Sequence, residues 1–284
     1  MLAFSNPVRV EFGADALAGL PDAVGERDCI LVTSAGMASR GALREIEAGL
    51  ADRIVATFSD VLPNPTIASC TMAFDALQGV EAGLLVALGG GSVIDTAKAL
   101  AAQRAHPSGP GWLAGHLRDG RPFPEPFVPP AIIAIPTTAG TGSEVTMWAT
   151  IWDDESATKR SISHPFLYPE AALLDPALTH SVPRATTVPA AFDALSHAME
   201  AIWNRAANPV SDALAMRAIR LIPGALPRVL ESPDDARARE ALMSAALLAG
   251  LAISSTRTAL AHSISYPLTA ERGLPHGIAC SLTL

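Results

Sequence analysis

The chain has 284 residues, 49% of them hydrophobic and 17% charged, which excludes a disordered chain and is long enough for one large or two ordinary domains. A formal charge of -8 with only 20 Lys and Arg excludes a sequence-independent grip on nucleic acid, because neutralising phosphates needs clustered cations. Cys29, Cys70 and Cys280 are odd in number and form no CxxC pair, so the cysteines fit a reducing cytoplasm rather than a disulfide framework.

The N-terminal MLAFSNPVRVEFG lacks a basic segment followed by a long apolar one, and no secretory signal is expected from it. Short apolar runs at 29–32, 53–57, 84–88 and 131–135, each bounded by Gly, Pro, Ser or Asp, predict strands. Segments 41–50 and 68–78 carry helical spacing, and the alternation implies an α/β domain with a doubly wound, mostly parallel sheet. Residues 106–130 are crowded with Pro and Gly and are expected to form a long surface excursion. From Pro183 onward Ala, Leu, Met and Arg recur at helical spacing, so the expected division is an α/β domain over 1–183 and an all-helical domain over 184–284. The most apolar stretch, 241–261, is interrupted by Ser244, Ser254, Ser255, Thr256, Arg257 and Thr258, and no membrane-spanning helix is expected.

Three clusters carry chemistry. In LLVALGGGSVIDTAKAL, residues 84–100, an apolar strand runs through Gly89, Gly90, Gly91 and Ser92 into a helix whose free N–H groups and dipole suit a pyrophosphate, although a plain tight turn has the same outline. In IPTTAGTGSEVT, residues 135–146, another strand leads into small and hydroxyl-bearing residues, which offer donors to a nucleotide without bulk. Two such loops after two strands of one parallel sheet would lie at its carboxyl edge, where open α/β sheets bind ligands.

The third cluster is FDALSHAMEA, then ALAHSISYPL, then LPHGIACSL. Asp193 and His197 are four apart, so a helix places both on one face. With His262 and His276 they make a carboxylate and three imidazoles, a donor set for a divalent first-row ion such as Fe, Zn, Co or Ni, whereas each His alone could equally be a hydrogen-bonded core or surface residue. His106, His116, His164 and His180 sit in loop-like segments without comparable spacing.

In this order and at these separations, GGGSVIDTAK, PTTAGTGSE, DALSHAMEA, AHSISYPL and LPHG resemble the iron-containing (group III) alcohol dehydrogenase family, from NPVRVEFG through to the C-terminus. The resemblance implies a Rossmann-like NAD(P)-binding domain, an all-α metal-binding domain in a dehydroquinate synthase-like architecture, and an active site in the cleft between them. It implies metal ligation by Asp193, His197, His262 and His276, with Fe2+ favoured and Zn2+ the alternative. Gly90, Gly91, Ser92 and Asp95 match the pyrophosphate and nicotinamide-side motif, and Thr137, Thr138, Thr141 and Ser143 the adenine-side and diphosphate loop. Lys159 and Leu178 fall at further cofactor-contacting positions, and Asp95 is assigned with Tyr266 to the catalytic machinery. The implied reaction is hydride transfer between NAD or NADP and an aldehyde or alcohol, in a homodimer or larger homo-oligomer.

Departures from the family pattern shape these expectations. Where many members have a His four residues after the third ligand, this chain has Tyr266, a phenol able to relay a proton or simply to pack before Pro267. Where members that prefer NAD have Asp, Ser34 stands, which removes a charge that would repel a 2′-phosphate and so permits both cofactors. Members usually continue through further helices beyond the HG motif, whereas this chain ends at Leu284, so the expected helical domain is incomplete. The wording of 147–176 and of 258–284 is most similar to the phosphonate-metabolism branch, which implies reduction of phosphonoacetaldehyde, with Lys159, Arg160, His164 or Arg257 as donors to a dianionic head. A catalytically silent remnant that binds only nucleotide and a zinc-dependent polyol dehydrogenase of the same fold are the alternatives.

Overall fold

The computed structural model describes residues 4–38, 41–106 and 111–284. Among them the strands are β1 (Arg9–Phe12), β2 (Cys29–Val32), β3 (Ile54–Phe58), β4 (Leu84–Gly89), β5 (Ala131–Pro136), β6 (Trp148–Asp153), β7 (Thr158–Ser163) and β8 (Ala171–Leu174). Six of these form one parallel sheet in the order β1-β8-β5-β4-β2-β3, while β6 and β7 form a separate antiparallel hairpin. Every residue of β2 and β4 is buried, as expected for strands covered on both faces, and that is why they read as unbroken apolar runs. Other strands have weaker signatures. β1 carries Arg9 and Glu11, which pair at 3.4 Å, β7 is mostly polar, and β8 is half Ala.

Helices α1 (Leu20–Val24), α2 (Ala35–Ala38), α3 (Gly41–Leu50), α4 (Ile67–Ala76), α5 (Gly91–Arg104) and α6 (Trp112–Asp119) belong with the sheet. The expected excursion over 106–130 is corrected here, because α6 lies within it and buries Trp112, Leu113 and Leu117. Its stop is Gly120 in the left-handed region, a helix end that Gly occupies without strain. Helix α5 is buried almost all round, and two of its polar side chains hold β6: Thr150 N donates to Asp95 Oδ2 at 2.9 Å and Lys98 Nζ donates to the Trp148 carbonyl at 2.8 Å.

The helical part comprises α7 (Arg184–Trp203), α8 (Pro209–Glu231), α9 (Ala236–Thr256), α10 (Leu260–Arg272) and α11 (His276–Ser281). Helix α9 is long and apolar enough, by length and composition, to cross a bilayer, and 56% of its most apolar window is buried inside the protein, as in the central helix of a bundle.

The chain divides into compact units differently from the expected boundary at 183. One unit is Val8–Pro136 with Met147–Leu174; the other is Met1–Pro7, Thr137–Thr146 and Asp175–Leu284. The reason lies in the threonine-rich loop, whose residues pack on the helices. Gly142 has φ +63 and a Cβ there would lie 2.5 Å from the Gly250 Cα of α9, so only glycine fits on both counts. Asn6 also ties the N-terminal residues to this unit, donating to the Val145 carbonyl at 2.8 Å and to Ser254 Oγ at 3.0 Å.

Candidate metal centre and nucleotide loops

In the sheet unit, the residues matched to nucleotide binding gather at the carboxyl ends of adjacent strands. β4 and β5 end level, with Gly89 paired to Pro136, and Ser34 follows β2 on the same edge. Helix α5 then starts from Gly90, which provides no side-chain cap, so the first N–H groups of the helix are presented to an incoming anion. The Ser92 hydroxyl accepts from Asn64 N at 3.1 Å. Lys159 is half-buried on β7, opposite Trp152. In the helical unit, Thr137 and Ser143 are buried, Thr138 and Leu178 half-buried and Thr141 exposed, and Thr141 Oγ1 accepts from Ser143 N at 3.3 Å.

The helical unit brings Asp193, His197, His262 and His276 together. Helix α7 supplies Asp193 and His197 from one buried face. Helix α11 begins at His276 and lies against the turn of α7 that carries Asp193. Gly277 makes this approach possible, since a Cβ there would overlap the Pro189 carbonyl oxygen and lie 2.9 Å from Asp193 N. Helix α10 brings His262, and its start is fixed by a residue from another helix: Glu200 Oε1 accepts from Ala259 N at 3.0 Å and from His262 N at 3.2 Å. A carboxylate at a helix N-terminus satisfies otherwise unpaired donors and complements the dipole.

From Asp193 Oδ1 the Nε2 atoms of His262, His197 and His276 lie at 3.5, 3.6 and 3.9 Å. Bonds of about 2.0–2.2 Å to a tetrahedral ion require donor separations of about 3.3–3.6 Å. The rings of His197 and His262 stack at 4.7 Å, and His262 meets His276 edge-on at 5.4 Å. Asp193 Oδ1 and His262 Nε2 are buried, and neither makes a well-formed hydrogen bond among the described residues. A buried carboxylate oxygen and imidazole nitrogen left this way are expensive unless something positive lies between them, so the residues present fit a divalent cation.

The electrostatics agree. Burial would raise the Asp193 carboxyl, but the imidazoles of His197, His262 and His276 hold it well below the usual carboxylate range. For His262, burial disfavours the charge, while contacts with Asp193, Cys280 and Glu200 outweigh it and push the pKa up. Glu200 itself, despite burial, is kept below its ordinary value by His262. The His262 Nδ1 to Glu200 Oε2 hydrogen bond directs Nε2 toward Asp193, as a carboxylate behind a metal-binding imidazole does. Tyr266 is half-buried with its ring 6.4 Å from that of His276, and burial raises its pKa, leaving a neutral phenol able to donate.

Two residues of this cluster were missed from sequence. Glu200 stands at i+7 from Asp193 and i+3 from His197, a helical spacing that would have flagged it. Cys280, four residues after His276, places Sγ 3.7 Å from both ring nitrogens of that His. Among the other histidines, His106, His116 and His164 join an aromatic stack with Trp112, Phe123, Phe127 and Phe166 in the sheet unit, so their role is packing. Of the cations considered for an anionic substrate, Arg160 Nε faces Asp153 at 3.5 Å, and His164 Nδ1 accepts from Phe166 N at 3.2 Å.

Comparison with known proteins gives one family throughout. The description "Iron-containing alcohol dehydrogenase" matches residues 7–176, and "Fe-containing alcohol dehydrogenase family, C-terminal" matches 187–284. The chain is 35% identical over 266 residues to the NAD-dependent methanol dehydrogenase of Bacillus methanolicus, covering 92% of this chain and 68% of that protein. It is 39% identical over 223 residues to the phosphonoacetaldehyde reductase of Streptomyces viridochromogenes, covering 73% of this chain and 53% of that protein. Among solved structures, the sulfoacetaldehyde reductase of Bifidobacterium kashiwanohense in complex with NAD+ superposes with a TM-score of 0.92 at 32% identity, covering all of this chain and 75% of that one. An iron-containing alcohol dehydrogenase of Thermotoga maritima gives 0.86 at 33% identity, covering 99% and 76%.

Proposed function

The chain belongs to the iron-containing alcohol dehydrogenase family, and from that premise we propose that it interconverts an aldehyde and an alcohol, using NAD or NADP and a divalent ion held by Asp193, His197, His262 and His276. Fe2+ is the first candidate and Zn2+ the second. The observation that carries this reading is the convergence of one carboxylate and three imidazoles around Asp193 Oδ1, all of them buried except the partly exposed His276. When bound, the ion supplies a Lewis acid for the carbonyl oxygen, and the nicotinamide supplies or accepts the hydride.

The chain's own residues divide the remaining work. Glu200 keeps His262 in the tautomer that presents Nε2, and Tyr266 hands a proton to the alkoxide as reduction completes. The uncapped start of α5 at Gly90, Gly91 and Ser92 receives the pyrophosphate, while Thr137, Thr138, Thr141 and Ser143 contribute donors to the nucleotide, with Lys159 and Leu178 as further contacts. Asp95 acts by holding β6 against α5. Ser34 leaves a 2′-phosphate unopposed, so both cofactors are accepted.

For substrate we propose a short aldehyde with an anionic head, phosphonate first. Relatives named for phosphonoacetaldehyde and for sulfoacetaldehyde support this class, since both compounds pair an aldehyde with a tetrahedral oxyanion. Arg257 is the donor proposed for that head. It is exposed, lies in the unit that carries the ligands, and is held at φ +68, a conformation that non-glycine residues adopt where function or a special contact requires it. The three cysteines form no disulfide among the described residues, which supports a cytoplasmic setting, and we propose a homodimer or larger homo-oligomer.

The test is metal analysis together with NADH and NADPH oxidation by phosphonoacetaldehyde, sulfoacetaldehyde and propanal. Turnover that depends on a stoichiometric ion, with the anionic aldehydes preferred and that preference lost in Arg257→Ala, supports the whole reading. Preference for propanal removes the substrate assignment, and metal and nucleotide binding without turnover of any aldehyde leaves a silent binding protein.

A further inference from the structure

Arg239 of α9 is only 3% exposed, and every acceptor it meets is neutral. Its Nε donates to the Pro233 carbonyl at 2.8 Å, Nη1 to Thr187 Oγ1 at 3.2 Å, and Nη2 to the carbonyls of His180 and Val182 at 3.4 and 3.3 Å. A guanidinium carries five N–H donors, so one on Nη1 is left over among the described residues. Burial alone lowers the pKa of Arg239, and it stays a cation because guanidinium does not deprotonate in proteins. Asp235, one turn earlier on the same helix, is engaged by Arg228 at 2.7 Å and by the Ala238 amide at 3.0 Å.

Other arginines set the contrast. Arg118 meets Asp153 and Glu155, and Arg27 meets Glu170, each with a carboxylate within 2.8 Å. A buried cation with neutral partners has lost its hydration without gaining a counter-charge, which is costly unless an anion comes near. Beside Arg239 lies a cavity of about 10 Å3, large enough for about one water. It is lined as well by Thr138 and Ala139 of the threonine-rich loop and by Thr187 and Leu242. The loop and α9 belong to the same compact unit, so directly behind a loop matched to diphosphate binding stands an uncompensated positive charge.

We propose that Arg239 supplies, from behind the threonine-rich loop, the positive charge that the diphosphate of the dinucleotide answers, acting across the small cavity through Thr138. The inference rests on the nucleotide-binding reading above and deepens it. Arg239 is a positioning residue: it touches the loop and the chain entering α7, and its field reaches the anion because charges in a protein interior are weakly screened.

Binding of NADH and NADPH to the metal-loaded full chain, followed by energy transfer from tryptophan to the reduced nicotinamide, reads this charge without reference to turnover. Arg239→Met removes the charge and keeps most of the stem, whereas Arg239→Lys keeps the charge and loses the fork. The expected result is affinity weakened at least about 10-fold in Arg239→Met and within about 3-fold of wild type in Arg239→Lys, with equal metal content in all three chains. A role confined to packing gives the reverse order, because an apolar side chain of similar size suits a buried position better than a lone ammonium. Affinity unchanged in Arg239→Met, or lost equally in both variants, overturns the proposal and leaves the nucleotide-binding reading standing. Loss of metal along with nucleotide in Arg239→Met overturns it too, since the helical unit itself has then been damaged. A wild-type chain that binds neither nucleotide overturns the proposal and that reading together. Should Arg239→Met fail to fold, Arg239→Lys decides alone: affinity kept supports the proposal, and affinity lost overturns it.

Discussion

The sheet unit and the helical unit prepare for chemistry in opposite ways. In the first, the groups matched to the nucleotide are mostly backbone, at the level ends of β4 and β5 and the uncapped start of α5, and buried charges such as Lys98 and Asp153 serve the packing of the unit itself. In the second, polar side chains are themselves buried, with Asp193, His197, Glu200 and His262 all at or below 5% exposure. A backbone site depends on the chain's path and tolerates changes of side chain, whereas a site built from buried charges is stable only while every partner is present.

That difference is broken most severely at His262. His262→Ala leaves Asp193 and Glu200 as two buried carboxylates without the imidazole they share, a loss expected to cost the metal-free protein about 3–5 kcal/mol. Denaturant unfolding should show this as a lower midpoint, and elemental analysis should show loss of the stoichiometric ion. A variant as stable as wild type would mean that the two carboxylates are not held ionised by His262. Next in size is Glu200→Gln, which keeps shape and part of the hydrogen bonding but removes the charge behind Nδ1. Metal affinity measured against a competing chelator should fall about 10–100-fold, the usual cost of losing a carboxylate behind a ligand imidazole.

A pair of glycines sharpens the contrast through packing. Gly277→Ala drives a methyl into the Pro189 carbonyl and the Asp193 amide of α7, with an expected cost of about 1–3 kcal/mol and a weakened ion site, because His276 moves with the helix. Gly83→Ala, just before β4, meets nothing within 4 Å and should change stability by less than about 0.5 kcal/mol. Thermal melts of the two variants side by side measure the difference. Equal shifts would remove the close approach of α11 and α7 from the account of how the ligands are assembled.

The legibility of these features in sequence follows from the same physics. Buried strands announce themselves as apolar runs, which is why β2, β4 and β5 could be read, while β3 at the sheet edge showed through its β-branched residues, and a helix start after Gly-Gly-Gly was equally plain. β1 and β7 could not be read so, because an edge and a hairpin strand with Arg, Glu or Lys lack that signal, and β8, though buried inside the sheet, is only Ala-Ala-Leu-Leu without a β-branched residue. At the centre, Asp193 and His197 were legible from local spacing, while His262 and His276 completed a donor set by residue type and were tied to it by the resemblance. Gly277 was not legible, since its significance lies in the contact between α11 and α7, which no local pattern encodes. The compact units divide elsewhere than at 183 because the threonine-rich loop follows a strand in sequence but packs on helices.

The smallest expected effect lies in the sheet unit, where a buried carboxylate is met by a partly exposed guanidinium. Asp153, at the end of β6, receives Arg118 Nη2 at 2.7 Å and Arg118 Nε at 3.2 Å, and Arg160 stands 3.5 Å away. Hydrogen bonding from Arg118 holds its carboxyl well below the usual carboxylate range, against the opposing effect of burial. A group whose folded-state pKa is depressed adds stability above its unfolded value of about 3.9, and that stability drains away as pH falls from there toward the folded value. Asp153→Asn should therefore melt below wild type at neutral pH by a small, nearly constant margin, and the two melting curves should draw together as the pH is lowered below about 4. Arg118 remains partly exposed, so salt should narrow the neutral-pH margin too. A gap that ignores both acid and salt would mean that Asp153 contributes shape to the hairpin rather than charge.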